Sequence, residues 1–182
     1  TLIKRVMDAG ACGIIVPMVN TRDDALRAVA AVRYPPVGTR GVGLARAQRY
    51  GLGFKEYTKW LSHNSIVIAQ IEHIQAVDNL EEILRVPGID AIMVGPYDLS
   101  ASCGFPGNFT HPNVHRALKR IMDVSRSMRM PSGFHVVQPD ISELKQKMRE
   151  SFTFLAFSLD SLLLGTICAE SLKRARSKGR TR

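Results

Sequence analysis

Three cysteines are all that the 182 residues contain. Cys12, Cys103 and Cys168 are odd in number and far apart, which argues against a disulfide framework or a zinc site. They suggest reduced thiols and a cytoplasmic setting. No apolar run reaches the roughly 18 residues that a membrane-spanning helix needs. No secretory signal shows either, since the opening TLIKRVMDAG reads as an amphipathic helix with Lys4, Arg5 and Asp8 on its polar side. An initial Met is also missing, which suggests a processed form or a fragment. No strand-like segment is followed by a Gly-rich dinucleotide fingerprint.

What is present is 45% hydrophobic residues, enough for one packed domain with a sizeable core. The net charge of +9 invites a nucleic-acid reading until it is located. The last twelve residues, SLKRARSKGRTR, carry Lys173, Arg174, Arg176, Lys178, Arg180 and Arg182 with no acid, and without those six the remainder carries only +3. A basic end can bind polyanions, but no aromatic residues interleave it. A solvated helix end whose cations suit the C-terminal dipole is the expected state, and neither nucleic acid nor membrane is an expected partner.

Short runs rich in β-branched residues alternate with helix-period segments along the body. Strands are expected in CGIIVPMVN, SIVIAQIE, IDAIMVG, SGFHVV and FTFLAFSLD. Helices are expected around residues 2–9, in RDDALRAVAAVRY behind the cap Thr21, in AVDNLEEILRV and in HPNVHRALKRIMDVSRSM. DISELKQKMRE and SLLLGTICAESLKRAR complete the set, while the stretch before Ser65 reads as a Gly-rich connection. Unbroken hydrophobic strands joined by helical crossovers indicate an α/β fold with a parallel sheet. Five βα units fit an open doubly wound sheet or part of a (β/α)8 barrel, and a full barrel typically takes about 250 residues.

Two of these strands end in acids. Gln70 and Glu72 in QIEH lie two apart and so project to one side. Asp98 follows the next strand in GPYDLS. If the strands are neighbours, about 4.8 Å apart, Glu72 and Asp98 can share a cation. Two carboxylates plus waters suit Mg²⁺ or Mn²⁺, which keep open positions for substrate oxygens. From spacing alone the other reading, two helix-capping acids, stays open.

The segments VPMVN, RYPPVGTRGVG, AQIEHIQAVDNLEEILRVPGIDAIMVGPYDLSAS, GNFTHPNVHRAL, GFHVV and FLAFSLD together resemble the HpcH/HpaI aldolase family over nearly the whole chain. The resemblance implies a (β/α)8 TIM barrel and a metal-dependent aldolase acting on 4-hydroxy-2-oxo acids, such as 2-keto-3-deoxy sugar acids. It implies that Glu72 and Asp98 hold the divalent ion (Mg²⁺ or Mn²⁺, with Co²⁺ a further option). Gln70 would lie beside it as a catalytic residue. The Gly95, Pro96, Tyr97 and Asp98 turn would bind pyruvate, its backbone N–H groups receiving the carboxylate. The other product would be an aldehyde, and the assembly a homo-oligomer, a hexamer in the family, with the last helix exchanged between subunits. Leu163, Ile167 and Leu172 form the apolar stripe of that helix.

Such a cleavage leaves negative charge on the C2 oxygen, which a cation stabilises most as the charge forms. The rival device is a Schiff-base lysine, but none of the lysines falls within a strand. Arg40 could meet a substrate carboxylate or order the long loop, and its flanking glycines favour the second. Arg46 and Arg49 read as a solvated helix face or as a contact to an acidic substrate or a neighbouring subunit. His73 could act in proton transfer but should point away from Glu72; His135 lies inside a strand and could face the barrel mouth, though a hydrogen-bonded core histidine is the better reading. Ser100 and Ser102 read as helix caps.

Against the family pattern, the first three strands have no counterpart, so a partial barrel is expected, with a domain over 1–172 and a basic tail over 173–182. The family's acid-base histidine and keto-polarising arginine would precede Thr1. Impaired turnover is therefore expected. A CoA-ester lyase of the citrate lyase β type and an inactive structural homologue are the alternatives, and the GPYDLS turn favours the aldolase branch.

Overall fold

The computed structural model describes residues 2–150 and 152–177. Five strands form one parallel sheet: β1 (Gly13–Val16), β2 (Ile66–Ile71), β3 (Ala91–Val94), β4 (Ser132–Val136) and β5 (Phe154–Phe157). Their spatial order is the chain order, β1-β2-β3-β4-β5. A doubly wound sheet reverses direction at a switch point. Here the order never reverses, so right-handed crossovers all step the same way and lay their helices on one face. The result is a curled half-barrel sheet, and its unreversed order departs from the doubly wound alternative.

The helices are α1 (Leu2–Asp8), α2 (Arg22–Val32), α3 (Phe54–Asn64), α4 (Ile74–Asp78), α5 (Leu80–Leu84), α6 (Pro96–Ser102), α7 (Pro112–Ser127), α8 (Ile141–Arg149) and α9 (Asp160–Ser177). Alternate strand residues meet them. Val67, Ala69 and Ile71 of β2, Ile92 and Val94 of β3, and Phe134 and Val136 of β4 are buried in one core with Val32, Leu61, Leu80 and Ile121. Each larger side chain buried there contributes about 1.5–3 kcal/mol. The opposite face carries Ile15, Ile66, Gln70, Met93 and His135, and it is more open: Ile15 and Ile66 are each 46% exposed.

Three local readings change. β1 stops at Val16 instead of running on through Asn20, because Pro17 has no N–H to give the ladder and Met18 takes a left-handed φ of 54°. The segment read as one helix over AVDNLEEILRV is two short helices broken at Asn79, whose φ of −93° and ψ of 11° leave the helical region. Asn79 Nδ2 is engaged elsewhere, donating to Asn20 O at 2.9 Å. Helix α3 lies in what was read as connection; it buries Tyr57 and Leu61, four residues apart on one face.

Arg40 explains how the long connection is fixed. Only 2% exposed, it donates from Nη2 to Asp8 Oδ1 at 2.6 Å and from Nη1 to Tyr57 Oη at 3.0 Å. Its guanidinium also lies 4.9 Å from the Tyr34 ring centre. One side chain thus joins α1, α3 and the end of α2, the loop-ordering role expected of it. Arg46 adds a bond from Nη1 to Ala9 O at 2.7 Å.

None of the side chains described for α9 is buried, and Leu163, Leu164, Ile167 and Leu172 are exposed. The helix continues through Lys173, Arg174 and Arg176, while Lys178, Arg180 and Arg182 lie outside the described residues. No helix among the described residues is long and apolar enough to cross a membrane.

Candidate active site

Parallel strands bring their carboxyl ends to one edge, and the residues just past β1, β2 and β3 meet there. Glu72 follows β2 and is 4% exposed. Its Oε1 accepts from the Met18 N–H at 2.9 Å, across the turn that ends β1. Its Oε2 accepts from Gln70 Nε2 at 2.6 Å, as the two-residue spacing along one strand face allows. The backbone carries the ladder one step further, with Gly95 N donating to Ile71 O at 3.2 Å, so Gly95 stands next to Glu72. A Cβ on Gly95 would lie 2.6 Å from Glu72 Oε2 and 2.8 Å from Gln70 Nε2. The site's polar heads fill the space this glycine leaves.

Asp98 lies in the first turn of α6 and is exposed. Its side chain makes no hydrogen bond or ion pair with another described residue. Burial raises the Glu72 pKa, the Met18 N–H lowers it, the negative charge of Asp98 raises it, and Gln70 lowers it. The net effect holds this carboxyl above its ordinary value. Two acids close enough to repel each other, one buried and one unpaired, make an oxygen donor set that a hard divalent cation would relieve. Among the described residues no group of three or more His, Cys, Asp and Glu side chains gathers around one point. A cation held by Glu72 and Asp98 alone would leave its remaining positions to water and substrate, the pattern usual for Mg²⁺.

Helix α6 starts at Pro96, and its N-cap Gly95 supplies no side-chain acceptor. The Tyr97 and Asp98 N–H groups thus stand at an uncapped helix start. Pro96 is buried and Tyr97 is 40% exposed, edge-on to Phe109 at 5.0 Å between ring centres.

His73 is the N-cap of α4, its Nδ1 accepting from Gln75 N at 3.1 Å. Ser100 and Ser102 lie inside α6 and do not cap its start; Ser102 Oγ instead accepts from Ile74 N at 3.0 Å and so tethers α4. Ser100 Oγ accepts from Gly107 N at 2.9 Å. The residue that sequence reasoning missed is Met18, which acts through its backbone; Pro17 just before it was the available signal.

A parallel sheet wound one way, with paired acids beyond adjacent strands, defines a barrel-type α/β protein with a strand-end site. The chain belongs to the HpcH/HpaI aldolase/citrate lyase family, which matches residues 1–165. It is 39% identical over 179 residues to a 2-keto-3-deoxy-L-rhamnonate aldolase of Escherichia coli O17:K52:H18 (strain UMN026 / ExPEC), covering 97% of this chain and 66% of that protein. The chain thus spans about two thirds of the length of that curated relative. Among solved structures, an HpcH/HpaI aldolase/citrate lyase family protein from Burkholderia cenocepacia J2315 superposes with a TM-score of 0.86 at 32% identity, over 96% of this chain and 69% of that one. The HpcH/HpaI aldolase from Desulfitobacterium hafniense DCB-2 gives 0.85 at 28% identity, over 96% and 67%.

Proposed function

We propose that this chain carries the metal and pyruvate half of a class II aldolase, which cleaves a 4-hydroxy-2-oxo acid reversibly to pyruvate and an aldehyde. The observation that supports it most is the buried Glu72 carboxylate with Asp98 unpaired beside it. Glu72 and Asp98 would hold Mg²⁺ or Mn²⁺. A divalent cation there supplies positive charge at the C2 oxygen as enolate charge develops.

The chain's own residues prepare that position. Gln70 and the Met18 N–H each occupy one oxygen of Glu72, which fixes the direction of its remaining lone pairs. The Tyr97 and Asp98 N–H groups at the start of α6 receive the substrate carboxylate. Gly95 lets the acid head and the amide lie flat against the backbone. The likeness to a 2-keto-3-deoxy-L-rhamnonate aldolase points to 2-keto-3-deoxy sugar acids as the substrate class.

The same reading makes the five strands part of an eight-stranded barrel, with a catalytic domain over 1–172, and makes exposed α9 the element exchanged between copies. The test is pyruvate release from a 2-keto-3-deoxy sugar acid with Mg²⁺ or Mn²⁺. Turnover that survives EDTA, or full activity in Glu72→Ala, rejects the proposal.

A further inference from the structure

We propose that His135 is the proton carrier of this site, working through Nδ1 on the C3 carbon of the bound 2-oxo acid; the inference rests on the aldolase reading. His135 is the fourth residue of β4. Its neighbours Phe134 and Val136 are buried against the helices, so His135 projects to the opposite face. Gln70 pairs with Met93, and Met93 with Gly133. Two residues further on, Glu72, Gly95 and His135 stand at one level on three adjacent strands. Two strand spacings separate the Cα atoms of Glu72 and His135, about 10 Å.

Gly95 between them has no side chain, and the heads of Glu72 and Gln70 lean into the space above it. The two heads thus lie over β3, the strand that separates Glu72 from His135. Of the strand residues on this face, Ile15, Ile66, Ile68, Gln70, Ala91, Met93, Phe154 and Ala156 carry no titratable group. His73 is committed to the start of α4. His135 is the proton-transfer group that the described strands bring to this face.

Its tautomer follows from its partner. Nε2 lies 3.2 Å from the Ser158 carbonyl oxygen, which can only accept, so Nε2 carries the hydrogen. The neutral ring then has its lone pair at Nδ1. Protonation at Nδ1 leaves the bond to Ser158 intact, so the carbonyl supports the ring in both states. Ser158 is itself held, its N–H donating to Val136 O at 2.7 Å.

In cleavage, Nδ1 takes the proton of the C4 hydroxyl, and the O–H pair becomes the second bond of the aldehyde. The C3–C4 pair becomes the C2–C3 double bond, and the C2 carbonyl π pair moves onto oxygen. After the aldehyde leaves, the C2 carbonyl re-forms and the C2–C3 π pair takes the proton back from Nδ1 onto C3. Pyruvate results and the imidazole is neutral again.

With Mg²⁺ in D₂O the chain is expected to exchange the methyl protons of pyruvate, read by proton NMR. His135→Gln keeps an amide to donate to Ser158 but cannot carry a proton. It should slow exchange by about 10²–10⁴-fold, while calorimetric binding of Mn²⁺ and of pyruvate stays unchanged. Independently of any variant, the His135 Nδ1 resonance of the ¹⁵N-labelled chain should shift when pyruvate is added with Mg²⁺. Equal exchange in the variant, no exchange in a chain that binds both Mn²⁺ and pyruvate, or an unmoved Nδ1 resonance overturns the role of His135. Failure of the wild-type chain to bind Mn²⁺ overturns the aldolase reading beneath it.

Discussion

The carboxylate of Glu72 occupies the space that a side chain on Gly95 would need, its Oε2 only 2.6 Å from where a Cβ would stand. The other atoms near that point, Gln70 Nε2 at 2.8 Å and Glu72 Cβ at 2.9 Å, belong to the same cluster. Even a methyl group must therefore push the acid off its position. Gly95→Ala should fold but lose Mn²⁺ affinity and pyruvate release, the latter by about 10²-fold, as misplacement on this scale commonly does. Calorimetry and a pyruvate assay on the variant check both.

Gln70 acts on the same carboxylate from the strand. Without its amide, Glu72 loses a bond to its ionised form, so its pKa rises further above the ordinary range. Gln70→Leu should weaken Mn²⁺ binding by about 10–100-fold, the usual cost of removing a partner that orients a ligand. Titration at fixed pH measures it; an unchanged affinity would show that Gln70 does not orient Glu72.

Asp8 sets an acid limit on stability. Burial tends to raise its pKa, but hydrogen bonds from Lys4 and Arg40 outweigh that and hold it below the usual value. A depressed folded pKa means that the unfolded chain binds more protons in the window just below about pH 4. The stabilisation is thus complete above that pH and is lost as pH falls through the folded pKa. Asp8→Ala also leaves Arg40, with a fully buried side chain, without its counter-ion. It should cost about 3–5 kcal/mol at neutral pH, and the remaining stability should fall less steeply in acid. Urea unfolding between pH 3 and 7 tests both parts.

Helix α9 exposes Leu164 and Ile167. If it docks on a second copy, Leu164→Glu with Ile167→Glu should reduce the mass found by light scattering to that of one chain. The variant should leave the far-UV helix signal unchanged, since neither residue packs in the core.

Much of the sheet was legible because each strand is a short β-branched run flanked by turn residues, whereas its unreversed order is compatible with, but not fixed by, right-handed crossovers. The acids at 72 and 98 were legible as strand-end motifs. Helix α3 was hidden because glycines precede it and the pattern of Tyr57 and Leu61 is brief. The break at Asn79 and the stop at Val16 depend on single residues that leave the regular conformation, Asn79 and Met18. Met18 contributes a backbone amide, which no side-chain motif records. The placement of His135 required the strand register, because its face relative to Glu72 depends on how β2, β3 and β4 align. The sequence alone leaves the barrel mouth and the core both open to it.

The most direct measurement of the central claim is calorimetric titration of Mn²⁺ into the metal-free chain and into Glu72→Ala and Asp98→Ala. The account predicts saturable binding of one ion to the wild-type chain and loss of that binding in each variant. Undiminished binding in both variants, or none in the wild type, would contradict it.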